Sequence, residues 1–162
     1  MPPSPGRGGH GRLLCANCGD SRAVLCRRGG EAVDLSRDHK AETPDERERI
    51  EAVGGRVSMK GRIEFPGAEG GLNLSRALGD FAYKERRDQP EHRQLVIPCP
   101  EVKTVELDEG DDFVVLGSDG VFDVLTSEEL VGRLREWLNR GEAPARAVEQ
   151  ALDLVVDGGD NV

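Results

Sequence analysis

Four aspartates stand where the chain turns beside apolar sequence. They are Asp20 in Gly19-Asp20-Ser21, Asp119 in Gly117-Ser118-Asp119-Gly120, Asp123 four residues on, and Asp160 in Gly159-Asp160-Asn161. The run Phe113-Val114-Val115-Leu116 directly precedes Asp119, so its carboxylate leaves the end of a strand whose burial fixes the backbone. The small neighbours Gly117, Ser118 and Gly120 leave room for an ion, its water and a substrate. Hard cations such as Mg²⁺ and Mn²⁺ prefer oxygen ligands and retain several waters, so a few carboxylates suffice. Read alone, Asp119 could equally shape a polar turn. Cys15-Ala16-Asn17-Cys18 has the spacing of a zinc or thiol-redox pair, but it falls in a strand-like run that sends the two thiols to opposite faces. No second pair completes a zinc site, so the cysteines read as small strand residues.

The elements that must place these aspartates can be read in turn. Residues 1–11 are rich in Pro and Gly with almost nothing apolar, and read as a disordered tail. Strands are predicted at 12–18 and 22–28, with Gly19-Asp20-Ser21 short enough to imply a tight antiparallel connection. A third strand follows at 31–36. Thr43-Pro44-Asp45-Glu46 predicts a helix start, with Thr43 as N-cap, Pro44 at the first helical position and Glu46 closing a capping box. That helix would bury Ile50 and Val53 and end at Gly54-Gly55. Residues 56–59 and 62–65 read as a hairpin, and 72–80 as a short helical turn ending in Gly79. The charged, proline-containing stretch to Pro100 reads as a surface loop or flap. A half-exposed strand is predicted at 102–107 and a fully buried one at 112–116. Thr126-Ser127-Glu128-Glu129 repeats the capping-box signature before a helix that buries Leu130, Leu134, Trp137 and Leu138. A last helix from Pro144 would bury Val148, Ala151, Leu152 and Val155 and stop at Gly158-Gly159. Clustered strands and helices, without β-α-β alternation, imply an α+β architecture with antiparallel sheet covered by helices.

Composition narrows the function classes. At 162 residues the chain can bury one core, built from Val, Leu and Ala because aromatic residues are scarce. A net charge of −9 disfavours nucleic acid and anionic membrane, and no apolar run approaches a bilayer span. It is also a weak argument against acidic peptides as targets. Nothing resembling a secretion signal opens the chain, so an intracellular location, cytoplasmic or nuclear, is expected.

The order of short blocks adds what composition cannot. Cys18-Gly19-Asp20-Ser21-Arg22, Asp38-His39-Lys40, Glu48-Arg49-Ile50 with Gly54-Gly55, Ser75-Arg76-Ala77-Leu78-Gly79-Asp80, Gly117-Ser118-Asp119-Gly120 with Asp123, and Asp160-Asn161 follow one another. From Leu13 to Val162 this string resembles the C-terminal part of the metal-dependent protein serine/threonine phosphatases, the type 2C or PPM family. The resemblance implies a layered α-β-β-α sandwich and hydrolysis of phosphoserine or phosphothreonine by a water activated at a dinuclear Mg²⁺ or Mn²⁺ centre. It places dinuclear metal ligands on Asp119 and Asp160, and ligands of a third, weaker metal on Asp20 and Asp123. It further implies phosphorylated protein substrates, a monomer, and a flap at residues 80–100 beside the catalytic cleft.

One departure qualifies this. The family's earlier acidic ligand, phosphate-binding arginine and Asp-Gly-His-Gly-Gly block have no counterpart in the few residues before the first strand. Gly8-Gly9-His10-Gly11 carries glycine where the ligand aspartate belongs, and His10 reads as part of the tail rather than as a general acid. The chain likewise stops where a last strand would follow Asp160. The expectation is therefore a partial phosphatase domain over 12–162. The alternative is a catalytically inactive pseudophosphatase fragment that acts by binding partners or metal. A Ca²⁺ module is disfavoured, because no Asp-x-Asp-x-Asp-Gly loop occurs.

Overall fold

The computed structural model describes residues 11–65 and 71–159. The tail over residues 1–10 and the Asp160-Asn161 block therefore lie outside the described residues. Among the described residues, seven strands and four α-helices follow in the order β1 (Arg12–Asn17), β2 (Arg22–Cys26), β3 (Ala32–Asp34), α1 (Pro44–Ala52), β4 (Arg56–Val57), β5 (Ile63–Glu64), β6 (Glu101–Glu106), β7 (Phe113–Gly117), α2 (Asp119–Phe122), α3 (Ser127–Asn139) and α4 (Pro144–Gly159). All the ladders are antiparallel, as an α+β architecture requires.

The tight pairing expected across Gly19-Asp20-Ser21 does not form. β1 pairs with β6, Arg12 opposite Glu106, whereas β2 lies between β3 and β7 in a second sheet. The short connector instead steps from one sheet to the other. Burial explains the choice: Ala23 and Leu25 of β2 meet Leu13 and Cys15 of β1 and Val105 of β6 face to face. Two stacked sheets bury apolar area that a flat hairpin would leave in water.

The opposite face of β2 carries the helices. Val24 and Cys26 pack with Val131 of α3, and α3 packs on α4 through Leu130, Leu134, Ala147 and Ala151. The described residues thus supply helix pair, three-stranded sheet and two-stranded sheet as successive layers. The two-stranded sheet is too narrow to cover β7. Val114 and Leu116 of β7 share a face with their cross-strand partners Leu25 and Ala23, yet Leu116 is 77% exposed. The strand predicted to be buried on both faces is buried only towards the helices, through Phe113 and Val115. Leu14 and Val102 are exposed on the other face of the two-stranded sheet.

The α4 stripe is also rotated from expectation. Ala147 and Ala151 are buried with Val155 against them, while Val148 and Leu152 are exposed, because small residues allow α4 to approach α3 closely. At the start of α3 the capping box is complete. Thr126 accepts from the Glu129 amide and Glu129 accepts from the Thr126 amide. Thr126→Ala is expected to cost about 1 kcal/mol, read as a shift in urea midpoint at unchanged slope.

A separate core surrounds α1. Ile50 and Val53 pack with Ala41, Val57, Ile63, Leu95 and Val96, and β4 pairs with β5 as the predicted hairpin. Residues 72–77 are extended, not helical. Leu72 bridges Ile63, Leu74 bridges Lys40, and Arg76 bridges Ile97. Extension lets Leu72 and Leu74 alternate onto this core while the backbone joins the segments around 40 and 97. The stretch to Pro100 is a loop with two 3-10 turns, Phe81–Lys84 and Glu91–Arg93, but its 94–97 end is buried, with Leu95 and Val96 in this core, and so is not the surface loop expected throughout.

Candidate functional site

Asp20 is set by what precedes it. Gly19 has φ +136°, a backbone conformation open to glycine, and it exchanges two hydrogen bonds with His39. The His39 amide donates to the Gly19 carbonyl at 3.0 Å, and the Gly19 amide donates to His39 Nδ1 at 3.2 Å. His39 is fully buried, and burial, with the nearby Arg76 charge, lowers its pKa. A neutral ring accepting at Nδ1 carries its proton on Nε2, which faces Glu101 at 3.4 Å. His39 is therefore a structural clamp on the connector, and a residue on which the sequence reading placed no role.

The neighbouring Lys40 is directed into the acidic cluster. Its ammonium donates to Asp20 Oδ2 at 2.8 Å and lies 3.9 Å from Asp119 Oδ2. Burial alone would lower its pKa. The bond to Asp20 and the fields of Asp20, Asp123 and Asp119 outweigh that, and the pKa is raised.

Asp119 opens the one-turn helix α2 behind Ser118, so it sits at a helix start rather than in an irregular turn. Its Oδ1 accepts from the Gly120 amide at 2.8 Å, leaving Oδ2 towards Lys40. A Cβ on Gly117 would come within 2.9 Å of the Phe122 ring, so glycine is needed for α2 to fold back on the strand end. Phe122 in turn carries the Arg22 guanidinium 4.6 Å above its ring. Arg22 makes a two-pronged bond to Asp38 and a further one to Ser127. Asp123 closes α2, its amide donating to the Asp119 carbonyl, and its side chain is exposed. The structure thus brings Asp20 and Asp119 to one ammonium with Asp123 in its field, while Asp160 lies outside the described residues.

Behind this cluster lies a buried ionic hub that the sequence reading assigned to helix capping. Glu46 does not close a box with Thr43, whose hydroxyl donates to the Lys40 carbonyl. It accepts instead from Arg49 at 2.9 Å and from Arg76 at 2.5 Å. Burial alone would push its carboxyl up, but the hydrogen bonds from Arg76 and Arg49 outweigh it and bring the pKa to about 2. The two arginines also donate to the Ser75, Gln94 and Cys99 carbonyls. One carboxylate thereby ties α1 to the extended segment and to the end of the flap.

Carboxylate oxygens are of the right kind for a divalent ion, but among the described residues no three His, Cys, Asp or Glu side chains stand close enough to hold an ion. What stands between Asp20 and Asp119 is the Lys40 ammonium. The four cysteines are free thiols. Cys15 and Cys18 are half-buried, and burial raises the Cys18 pKa, the opposite of a metal-binding or reactive thiol.

The family model for protein phosphatase 2C matches residues 7–160. The chain belongs to the protein phosphatase 2C family. "Probable protein phosphatase 2C 11" of Oryza sativa subsp. japonica is 42% identical over 142 residues, covering 88% of this chain and 37% of that relative. "Protein phosphatase ppm-1.G" of Caenorhabditis elegans is 41% identical over 145 residues, covering 90% of this chain and 28% of that relative. Among solved structures, a phosphatase from Toxoplasma gondii superposes with a TM-score of 0.76 at 29% identity, over 91% of this chain and 44% of that one. The chain therefore spans less than half the length of these 2C relatives. Within the 2C frame, Asp38-His39-Lys40 and Ser75-Arg76 gain roles beyond marking the family: His39 clamps Gly19, Lys40 faces the aspartates, and Arg76 pairs with Glu46. Only the spacing of these blocks hinted at them, because each contact joins residues at least 20 apart.

Proposed function

We propose that this chain is part of a protein serine/threonine phosphatase that removes phosphate from phosphorylated proteins. The observation that carries the reading is the meeting of Asp20 and Asp119 at one point of a chain that the 2C family matches over nearly its whole length. The proposed cofactor is Mg²⁺ or Mn²⁺, which when bound supplies an activated water for attack on phosphorus. Asp119 and Asp160 are proposed for the two-ion centre, with Asp20 and Asp123 for a further weak ion. The described residues alone do not complete such a centre, so their own contribution is to orient carboxylates. Gly19 and His39 fix Asp20, and Gly117 and Phe122 fix the start of α2. The reading extends to a monomeric intracellular protein; the four free thiols support a reducing location, and no helix among the described residues is long and apolar enough to cross a membrane.

The test is Mn²⁺-dependent phosphate release from a phosphoserine peptide. It is measured for the 162-residue chain and for the same chain completed with the N-terminal portion of a 2C relative. Release by the completed protein that disappears with a chelator is expected. A completed, folded protein that releases no phosphate at saturating Mn²⁺ would remove the proposal.

A further inference from the structure

Lys40 makes a contact that a pure metal site would not contain. Its ammonium is bonded to Asp20 at 2.8 Å and lies 3.9 Å from Asp119, within the field of Asp123. The segment that delivers it is held on both sides. Leu74 bridges its backbone, its carbonyl accepts from the Thr43 amide and hydroxyl, and His39 before it is locked to Gly19. The ammonium is mostly covered, with about a fifth of the side chain exposed, whereas Asp119 is nearly half exposed. A divalent ion approaching from solvent would thus meet Asp119 first and then a fixed positive charge on the way to Asp20.

We propose that Lys40 is a built-in monovalent cation that holds Asp20 and Asp119 together without metal and competes with a divalent ion for them. The inference rests on the reading of these aspartates as metal ligands. Its physical basis is that an ammonium a few ångströms from a dication repels it, while removing the ammonium leaves the carboxylates with uncompensated charge. Lys40 would thereby weaken the hold of Asp20 and Asp119 on a divalent ion, and binding of the ion there would release the lysine from Asp20.

The experiment titrates the protein with Mn²⁺ and reads free Mn²⁺ by electron paramagnetic resonance, for the native sequence, Lys40→Gln and Lys40→Arg. Lys40→Gln is expected to bind one Mn²⁺ about tenfold more tightly, and Lys40→Arg to stay near the native value because it keeps the charge. Binding by Lys40→Gln alone would support the proposal in its strongest form. Equal or weaker binding by Lys40→Gln, with the native protein binding, overturns this proposal and leaves the metal reading intact. Absence of binding in every variant overturns both. Should Lys40→Gln fail to fold, the Lys40 ammonium resonance of the native protein serves instead. A shift on Mg²⁺ addition is expected, and a resonance unmoved at saturating Mg²⁺ overturns the competition.

Discussion

Glu46→Gln is expected to destabilise the fold by about 3–5 kcal/mol, the cost of breaking a buried ion pair by removing one partner. Glu46 is 2% exposed, and its two oxygens are divided between Arg76 and Arg49. Glutamine keeps the volume but leaves two nearby guanidinium groups facing a neutral amide. A native buried pair of this kind need not outperform an apolar replacement, but removing one partner leaves an uncompensated charge. Urea denaturation gives the number directly, and a loss below about 1 kcal/mol would show that solvent screens the cluster. The same carboxylate gives the protein an acid limb. Its folded pKa lies at about 2, well below the ordinary carboxyl value of 4.5. Its contribution is therefore fully present above about pH 4.5 and is lost as pH falls towards 2. Stability measured across that window should decline in the native protein, and the Glu46 share of the decline should vanish in Glu46→Gln.

Asp119→Asn in the completed phosphatase is expected to lower Mn²⁺-dependent phosphate release by at least about a hundredfold, since loss of even supporting groups around a metal costs 10–100-fold. The amide retains the size of the side chain and can still accept from the Gly120 amide. It loses the charge that faces Lys40. Asp153→Asn, on the exposed face of α4 and not among the proposed ligands, removes the same charge and should leave turnover unchanged. Near-native turnover in Asp119→Asn would remove the metal role given to this residue.

The two Thr-x-x-Glu signatures show how far local sequence could be trusted. At Thr126 the box forms as read, because Glu129 is exposed and its carboxylate bonds to the Thr126 amide and hydroxyl. At Thr43 the same pattern fails, because Arg76 reaches Glu46 from 30 residues away and two charged bonds outweigh one cap. No local rule contains that arginine. Residues 72–80 depart from the expected helical turn for a related reason. Its extension is decided by backbone partners near residues 40 and 97 rather than by its own propensities. The site was legible in its carboxylates, whose glycine-flanked turns are local signals, and invisible in its cation. Lys40 stands in the Asp38-His39-Lys40 block, but nothing local gives it a role until the fold places it beside Asp20.

The split of β1 and β2 between two sheets carries a consequence for the order of folding. β2 and β3 are close in sequence and can pair early, at small loop-closure cost. β1 has its partner in β6, with Arg12 opposite Glu106, so that ladder gains nothing until most of the intervening chain has compacted. The connector holding Asp20 joins this strand to β2. Lys40 lies inside the span that β1 and β6 close, whereas Asp119 lies beyond it, at the end of β7, which pairs with β2. Assembly of the acidic cluster is thus tied to two long-range closures, β1 with β6 and β2 with β7, and a folding intermediate that lacks the β2–β7 ladder also lacks the meeting of Asp20 and Asp119.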